Sequence, residues 1–292
     1  MGLQIKEILA VAENILDEAG IADSKIDAEL ILGYVINYDA RRIFMNWSKE
    51  IEDDHCELFF DLIQHRAAGE PTQYITKRQF FMGYPFFVDE RVLIPRMDTE
   101  VLVDAVAEYI KNNKGVQRVL DLCTGSGVIA ISLAKMIPSL KLTAIDIDTN
   151  ALDVAIENSI RHKVESKVKF MHSDLFEEIA YGFGQKKFDI IVSNPPYIRS
   201  GVLPTLQREI FDYEPMLALD GGPDGLDYYR EIIEKAPDNL VRGGALFLEI
   251  GYDQADEVSD LIRATNMYDK IAVLRDLDKN DRVIQTNIIS KK

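Results

Sequence analysis

The first seventy residues carry apolar side chains at helical spacing. Ile5, Ile8, Leu9, Ala12, Ile15, Leu16 and Ala19 recur at three- and four-residue steps, which predicts an amphipathic helix, with Gly20 where a left-handed cap belongs. Asp23 or Ser24 is placed to cap a second helix carrying Leu30, Ile31, Tyr34 and Val35. A third short helix covers roughly residues 40–47. A fourth, with Leu58, Phe59, Leu62 and Ile63 on one side, ends near Gly69-Glu70-Pro71. From Tyr74 to Ile94 the texture changes to aromatic and β-branched residues around Gly83-Tyr84-Pro85, which predicts a β-hairpin between two domains.

Beyond residue 98 the period alternates. Helical spacing over 99–112, 127–137 and 149–162 is interleaved with β-rich apolar runs at 118–122, 142–145, 168–172 and 188–193. Such alternation predicts an α/β domain with a mostly parallel sheet covered on both faces by helices. The chain has no internal repeat and no low-complexity tract.

A length of 292 residues suits one large or two unequal domains, and 47% hydrophobic and 28% charged residues are those of a globular protein. No apolar run is long enough for a membrane span, and Glu7, Glu13, Asp17 and Glu18 interrupt the N-terminal pattern where a secretory signal needs an uncharged stretch. These features predict a cytoplasmic protein. Cys56 and Cys123 are too few for a disulfide framework, and with four scattered histidines they form no metal-binding pattern. The net charge of -16 is shared evenly, with 9 basic and 17 acidic residues in 1–95 and 24 and 32 in 96–292. A protein that grips nucleic acid usually presents a basic face, so this balance weighs against a DNA or RNA substrate.

Two segments carry chemistry. The first is Asp121-Leu122-Cys123-Thr124-Gly125-Ser126-Gly127, after a strand and opening a helix. A tight turn of small residues there lets a ligand lie against the backbone at the C-terminal edge of the sheet. The next strand ends at Asp146, whose carboxylate is placed to accept from both hydroxyls of a ribose. No third glycine completes the dinucleotide fingerprint, and the acidic opening of the loop resembles the S-adenosylmethionine loop of Rossmann-like methyltransferases. Asp146, Asp148, Asn150 and Glu157 match four positions of an EF-hand loop, yet Ala151 replaces its glycine and a strand precedes it. Helix capping is the simpler role for Asp148 and Asn150. Ser173-Asp174-Leu175, at the end of the third strand, offers a polar group and an apolar side chain to an adenine.

The second segment is Asn194-Pro195-Pro196-Tyr197, after the apolar run 188–193. Two prolines fix the backbone and remove two amide donors, leaving nearby carbonyls to accept from something else. Asn194 offers a side-chain carbonyl, Pro195 a backbone carbonyl and Tyr197 a ring, a set that suits a planar NH2 group. The lone pair of such a nitrogen is delocalised. Acceptors on its hydrogens stabilise the charge that develops as it attacks a methyl sulfonium, and no strong general base is needed before attack.

With these motifs the chain is similar to the release-factor glutamine methyltransferases, the PrmC or HemK family. Gly69-Glu70-Pro71, Leu93-Ile94-Pro95-Arg96, Asp98-Thr99-Glu100, Tyr213-Glu214-Pro215, Gly221-Gly222, Asp224-Gly225-Leu226 and Leu248-Glu249-Ile250-Gly251 carry the likeness alongside the two segments above. It implies an N-terminal helical recognition domain (1–72), a hairpin linker (73–95) and a methyltransferase domain (96–292). The sheet of that domain has seven strands with the last antiparallel, supplied here by Arg282-Val283-Ile284-Gln285. The resemblance implies S-adenosylmethionine as cofactor and S-adenosylhomocysteine as product. Their site comprises Asp121, Cys123, Thr124, Gly125, Ser126, Gly127, Asp146, Asp174, Leu175 and Asn194. Asn194, Pro195, Pro196 and Tyr197 are implied to receive the glutamine of a Gly-Gly-Gln motif in class I peptide-chain release factors. It further implies a monomer that needs no metal, nucleic acid or membrane. Cys123 departs from the glycine usual in many methyltransferases, and a positive φ there would strain it. Arg96 and Thr99 either line the pocket or cap the following helix.

An adenine N6-methyltransferase acting on nucleic acid satisfies the same Asn194 and Pro195 acceptors. A non-catalytic binding module would retain the fold but predicts decay at Asp121, Asp146 or Asn194-Pro195-Pro196-Tyr197, which is not seen.

Overall fold

The structure, a computed structural model, describes residues 3–179 and 187–289. Helices α1 (Ile5–Glu18), α2 (Ser24–Ile36), α3 (Ala40–Met45), α4 (Asp53–Ala67) and α5 (Thr72–Ile75) come first, followed by the hairpin strands β1 (Gln79–Phe81) and β2 (Tyr84–Phe86). Then come α6 (Thr99–Asn112), β3 (Arg118–Leu122), α7 (Val128–Met136), β4 (Lys141–Asp146), α8 (Thr149–Arg161), β5 (Val168–His172) and β6 (Phe188–Ser193). The chain continues with α9 (Arg208–Tyr213), α10 (Asp227–Asn239), β7 (Leu240–Glu249), α11 (Ala255–Thr265), β8 (Tyr268–Arg275) and β9 (Asp281–Ile288). It divides into two compact units, one of Met1–Arg78 with Gln207–Tyr213 and one of Gln79–Leu206 with Glu214–Lys292.

In the helical unit Ile5, Ile8, Leu9, Ala12 and Leu16 form the buried stripe of α1 and pack with Ala28, Ile31, Leu32, Phe59 and Ile63. Gly20 takes φ +80° just past the helix end. Two apolar faces match the sequence expectation at Ile31, Phe59 and Ile63, which are buried, and are rotated from it elsewhere. Leu30, Tyr34 and Leu58 are 43%, 45% and 46% exposed, while α2 buries Asp27, Ala28, Ile31 and Leu32 and α4 buries Phe59, Ile63 and Arg66. The reason is polar: Arg66 Nε donates to Asp27 Oδ2 at 2.7 Å, its NH2 group lies 2.9 Å from Glu209 of α9, and it also donates to the Glu70 carbonyl. A buried guanidinium must be paired, so both helices turn to face this contact. Helix α3 stops at Met45, short of Trp47, and is capped by Asp39, which accepts from the Arg42 amide at 2.7 Å.

The expected hairpin is present but shorter than its aromatic stretch. Tyr74 lies in α5, and Met82 (φ +50°) and Gly83 (φ +74°) form the two-residue turn between β1 and β2, the geometry that matches strand twist. Phe81 and Phe86 join the core under α6 and α7.

The main sheet has the order β5-β4-β3-β6-β7-β9-β8. Pairs from β5 to β7 are parallel, while β9 runs antiparallel to both β7 and β8. Residues alternate between two cores. Val119, Ile190 and Val192 face the one with Leu102, Val103 and Val106 of α6, whereas Leu120, Leu122 and Ile191 face Tyr229, Ile232 and Ile233 of α10. The result is the three-layer arrangement that a parallel sheet requires. Chain order places β4 and β5 on one side of β3 and β6 and β7 on the other, so the connections leaving β3 and β6 run to opposite faces of the sheet, the place where open α/β sheets bind ligands. No helix among the described residues is long and apolar enough to cross a membrane.

Candidate active site

The ladders bring the chemical residues together at one edge. Leu122 pairs with Ile145 and with Ser193, Asp146 with His172, and Ser193 with Leu248. The residues that follow these positions, Cys123, Asn194 and Glu249, therefore emerge beside one another at the C-terminal rim. Above the rim is a cleft, partly open to solvent, whose lining includes Cys123 to Ser126, Asp146, Asp174, Leu175, Asn194 and Pro196.

The loop after β3 is held from below. Asp121 is fully buried, and its Oδ2 accepts from Thr124 Oγ1 at 2.7 Å and from the Ala130 amide at 3.2 Å. Its Oδ1 has no hydrogen-bond partner, and burial pushes its pKa up to about 7. Asp121 and Gly127 do not line the cleft; they shape the loop that does. Gly127 takes φ +82° as it opens α7, and a Cβ there would meet Ile131 and Ala155. Cys123 stands at φ +57°, so the departure noted in the sequence does fall on a left-handed position that costs a non-glycine residue energy. Burial holds its thiol well above the ordinary value, which argues against a nucleophilic cysteine.

Asp146 reaches over this loop. Its Oδ2 accepts from the Gly125 amide at 2.8 Å and its Oδ1 from the Asp148 amide at 3.0 Å. Burial raises its pKa, and the backbone amides pull it back. Asp148 itself caps α8, accepting from the Asn150 amide at 2.8 Å, so these residues have the capping role.

The Asn194 side chain lines the cleft and points its Nδ2 at Thr99 Oγ1, 3.3 Å away. Thr99 is the first residue of α6 and lines the cleft, while Asp98 occupies the cap position and no side chain makes a capping bond, so of the two readings the lining one holds. Pro195 and Tyr197 do not line the cleft; Tyr197 packs against the α10 core, where burial raises its phenol pKa. The sequence reading passed over the lining residues Arg91, Leu217 and Tyr228. Tyr228 offered a signal, lying directly after Asp224-Gly225-Leu226 in an aromatic pair with Tyr229.

Comparison with known proteins accounts for this arrangement. Residues 7–76 match the PrmC N-terminal domain family and residues 97–216 the Methyltransferase small domain family. A release factor glutamine methyltransferase of Clostridium acetobutylicum is 40% identical over 97% of this chain and 98% of its own, and one of Clostridium botulinum is 38% identical over 96% and 98%. The chain belongs to the release factor glutamine methyltransferase family. Among solved structures, a methyltransferase from Pyrococcus furiosus shares the fold with a TM-score of 0.50 at 18% identity, covering 71% of this chain and 89% of its own. The hMettl16 catalytic domain in complex with MAT2A 3'UTR hairpin 6 gives 0.56 at 14% identity, covering 80% and 83%.

The other motifs of the release factor glutamine methyltransferase likeness act as scaffold here. Buried Glu214 accepts from the Ile94 amide at 3.1 Å and from Arg96 at 2.5 Å, which ties Tyr213-Glu214-Pro215 to Leu93-Ile94-Pro95-Arg96 and holds Arg96 on the cleft wall. Gly221 and Gly225 lie against the backbone of Tyr197, where a Cβ would come within 2.7 Å and 2.5 Å of it. Gln254 Nε2 donates to the carbonyls of Tyr197 and Gly225. The backbone after Asn194 is thus fixed on several sides.

Proposed function

We propose that the chain transfers a methyl group from S-adenosylmethionine to the side-chain nitrogen (N5) of the glutamine in the Gly-Gly-Gln motif of class I release factors. The observation that carries this reading is Asn194 at the cleft rim with its Nδ2 committed to Thr99, which leaves Oδ1 to accept from an NH2 group. An amide held by that carbonyl is oriented, and the acceptor strengthens as positive charge develops on its nitrogen.

The residues present fit the cofactor. Each Asp146 oxygen keeps a lone pair after accepting its backbone amide, enough for two ribose hydroxyls. Ile147 and Leu175 supply apolar walls, and Asp146, Asp148 and Asp174 outnumber Arg91 and Arg96 in the lining, a balance that suits a cation. When bound, the cofactor supplies a methyl on a sulfonium; the chain supplies orientation and the fixed dipoles. Asp121 and the Cys123 to Gly127 loop act in this reading by shaping the floor, and Tyr197 by backing the acceptor pocket. A protein substrate in the cytoplasm also agrees with the acidic charge.

Labelled S-adenosylmethionine offered with either a class I release factor or DNA tests the assignment, with peptide mass spectrometry locating the methyl. Label on the glutamine is the expected result; label on lysine or arginine, or only on DNA, sinks it.

In the same reading the helical unit selects the partner. Phe44 and Met45 are 76% and 70% exposed there, with Trp47 beside Phe44. Changing both Phe44→Ser and Met45→Ser is expected to lower kcat/KM on the intact release factor about tenfold, the scale of lost interface anchors. Activity on a short glutamine peptide should hold. Equal losses on the two substrates would contradict partner selection. Removing residues 1–72 is a poorer test, because α9 packs with that unit through Glu209 and Arg66.

A further inference from the structure

We infer that Glu249 is a positioning residue that sets which way the Asn194 amide faces. The inference rests on the reading that Asn194 presents its carbonyl to the acceptor amide. The parallel pairing of Ser193 with Leu248 puts Asn194 and Glu249 side by side at the ends of β6 and β7. Glu249 is 1% exposed, and its carboxylate sits beside the side chains of Thr99 and Asn194, which favour its charged form.

An ionised carboxylate only accepts. The Thr99 hydroxyl must therefore give it its single proton and keep a lone pair, and that lone pair receives Asn194 Nδ2 at 3.3 Å. Every partner on this side of Asn194 is then an acceptor, so the amide nitrogen turns inward and Oδ1 turns to the cleft. A protonated Glu249 breaks the rule, because it can donate to Oδ1 and stabilise the flipped amide.

Stability gives no reason for a carboxylate here. Its Oε2 is buried without a hydrogen-bond partner, a costly arrangement that a neutral side chain would avoid. Burial pushes Glu249 up to about 7, opposed by the side chains of Thr99 and Asn194 and by the charge of Arg282. The charged and titratable groups around it are Arg282 on β9, Asp98 at the start of α6, Tyr197 after β6 and Tyr229 on α10. Arg282 is itself bound to Asp98 at 3.0 Å and Asp276 at 3.1 Å. Two carboxylates thus share its charge, and Glu249 stays close to titration near neutral pH.

The test has two readouts on the full chain. In isotope-labelled protein, the Asn194 side-chain NH2 resonance, assigned by its loss in Asn194→Ala, is expected to shift with a midpoint of about 7. It should not titrate in Glu249→Gln. In kinetics with both substrates saturating, wild-type kcat falls as pH drops through that midpoint. Glu249→Gln lowers kcat about tenfold or more and flattens the limb while KM for the methyl donor stays put, the pattern of a lost transition-state contact. Thr99→Val loses kcat similarly, and Thr99→Ser recovers most of the loss. An NH2 resonance that does not titrate, or a Glu249→Gln enzyme with wild-type kcat and pH limb, overturns the inference. A limb that survives in Glu249→Gln points to Asp121 instead. Should Glu249→Gln fail to fold, the Thr99 pair decides, and equal loss in Val and Ser overturns it. A wild-type enzyme that leaves glutamine unmethylated removes the functional reading, whereas the NH2 titration still reports on Glu249.

Discussion

Asn194→Ala is expected to lower the rate of methyl transfer about a hundredfold or more while leaving cofactor affinity nearly unchanged. The substitution deletes an acceptor whose bond to the incoming nitrogen is weak in the ground state and strong once that nitrogen carries positive charge, and losses of this kind run to about 3 kcal/mol in the barrier. The split follows from position. Asn194 sits one residue beyond β6, with Nδ2 on Thr99, whereas the Asp146 carboxylate lies two strands away on β4. Single-turnover kinetics separates the two effects: kcat should collapse, and the donor dissociation constant from calorimetry should move little. An Asn194→Ala enzyme that turns over within about threefold of wild type would remove the acceptor role.

Residues whose job is local could be read from the sequence. Asp146 and Asn194 each end an apolar β run, and the chemistry of their own segments announces them. The prolines after Asn194, by their fixed backbone, and the glycines after Cys123, by their freedom to take positive φ, mark turns on their own. Glu249 was visible only as part of a motif, because its neighbours depend on the register between β6 and β7, whose partners lie more than fifty positions apart. Glu214 was likewise visible only within Tyr213-Glu214-Pro215: its partners, the Ile94 amide and Arg96, are about 120 positions away.

Strand β8 was hidden differently. At the sheet edge, its Tyr268–Arg275 run carries mostly exposed residues, as edge strands do to avoid pairing with other chains, and so lacks the apolar signature of β3 or β6. The phases of α2 and α4 were partly misread because periodicity counts apolar residues, while the buried Asp27–Arg66 pair decides which faces turn inward. In this chain, apolar pattern gives element order and long-range polar pairing gives orientation.

Asp146→Ala is expected to weaken S-adenosylmethionine binding by at least tenfold, with a larger loss where both ribose hydroxyls depend on it. A hydrogen bond to a charged acceptor contributes about 1.5–3 kcal/mol, and about 1.4 kcal/mol is a factor of ten. The carboxylate does a second job, holding the Gly125 and Asp148 amides at 2.8 and 3.0 Å, so its removal also loosens the loop that floors the cleft. Asp146→Asn separates the two contributions. Its side-chain oxygen can still take one backbone amide, but its NH2 cannot accept from the second hydroxyl. Affinity should therefore fall between that of wild type and alanine. Calorimetry on all three proteins, with thermal melting to verify folding, measures this order. If Asp146→Ala binds the donor as tightly as wild type, Asp146 serves the loop and not the ribose.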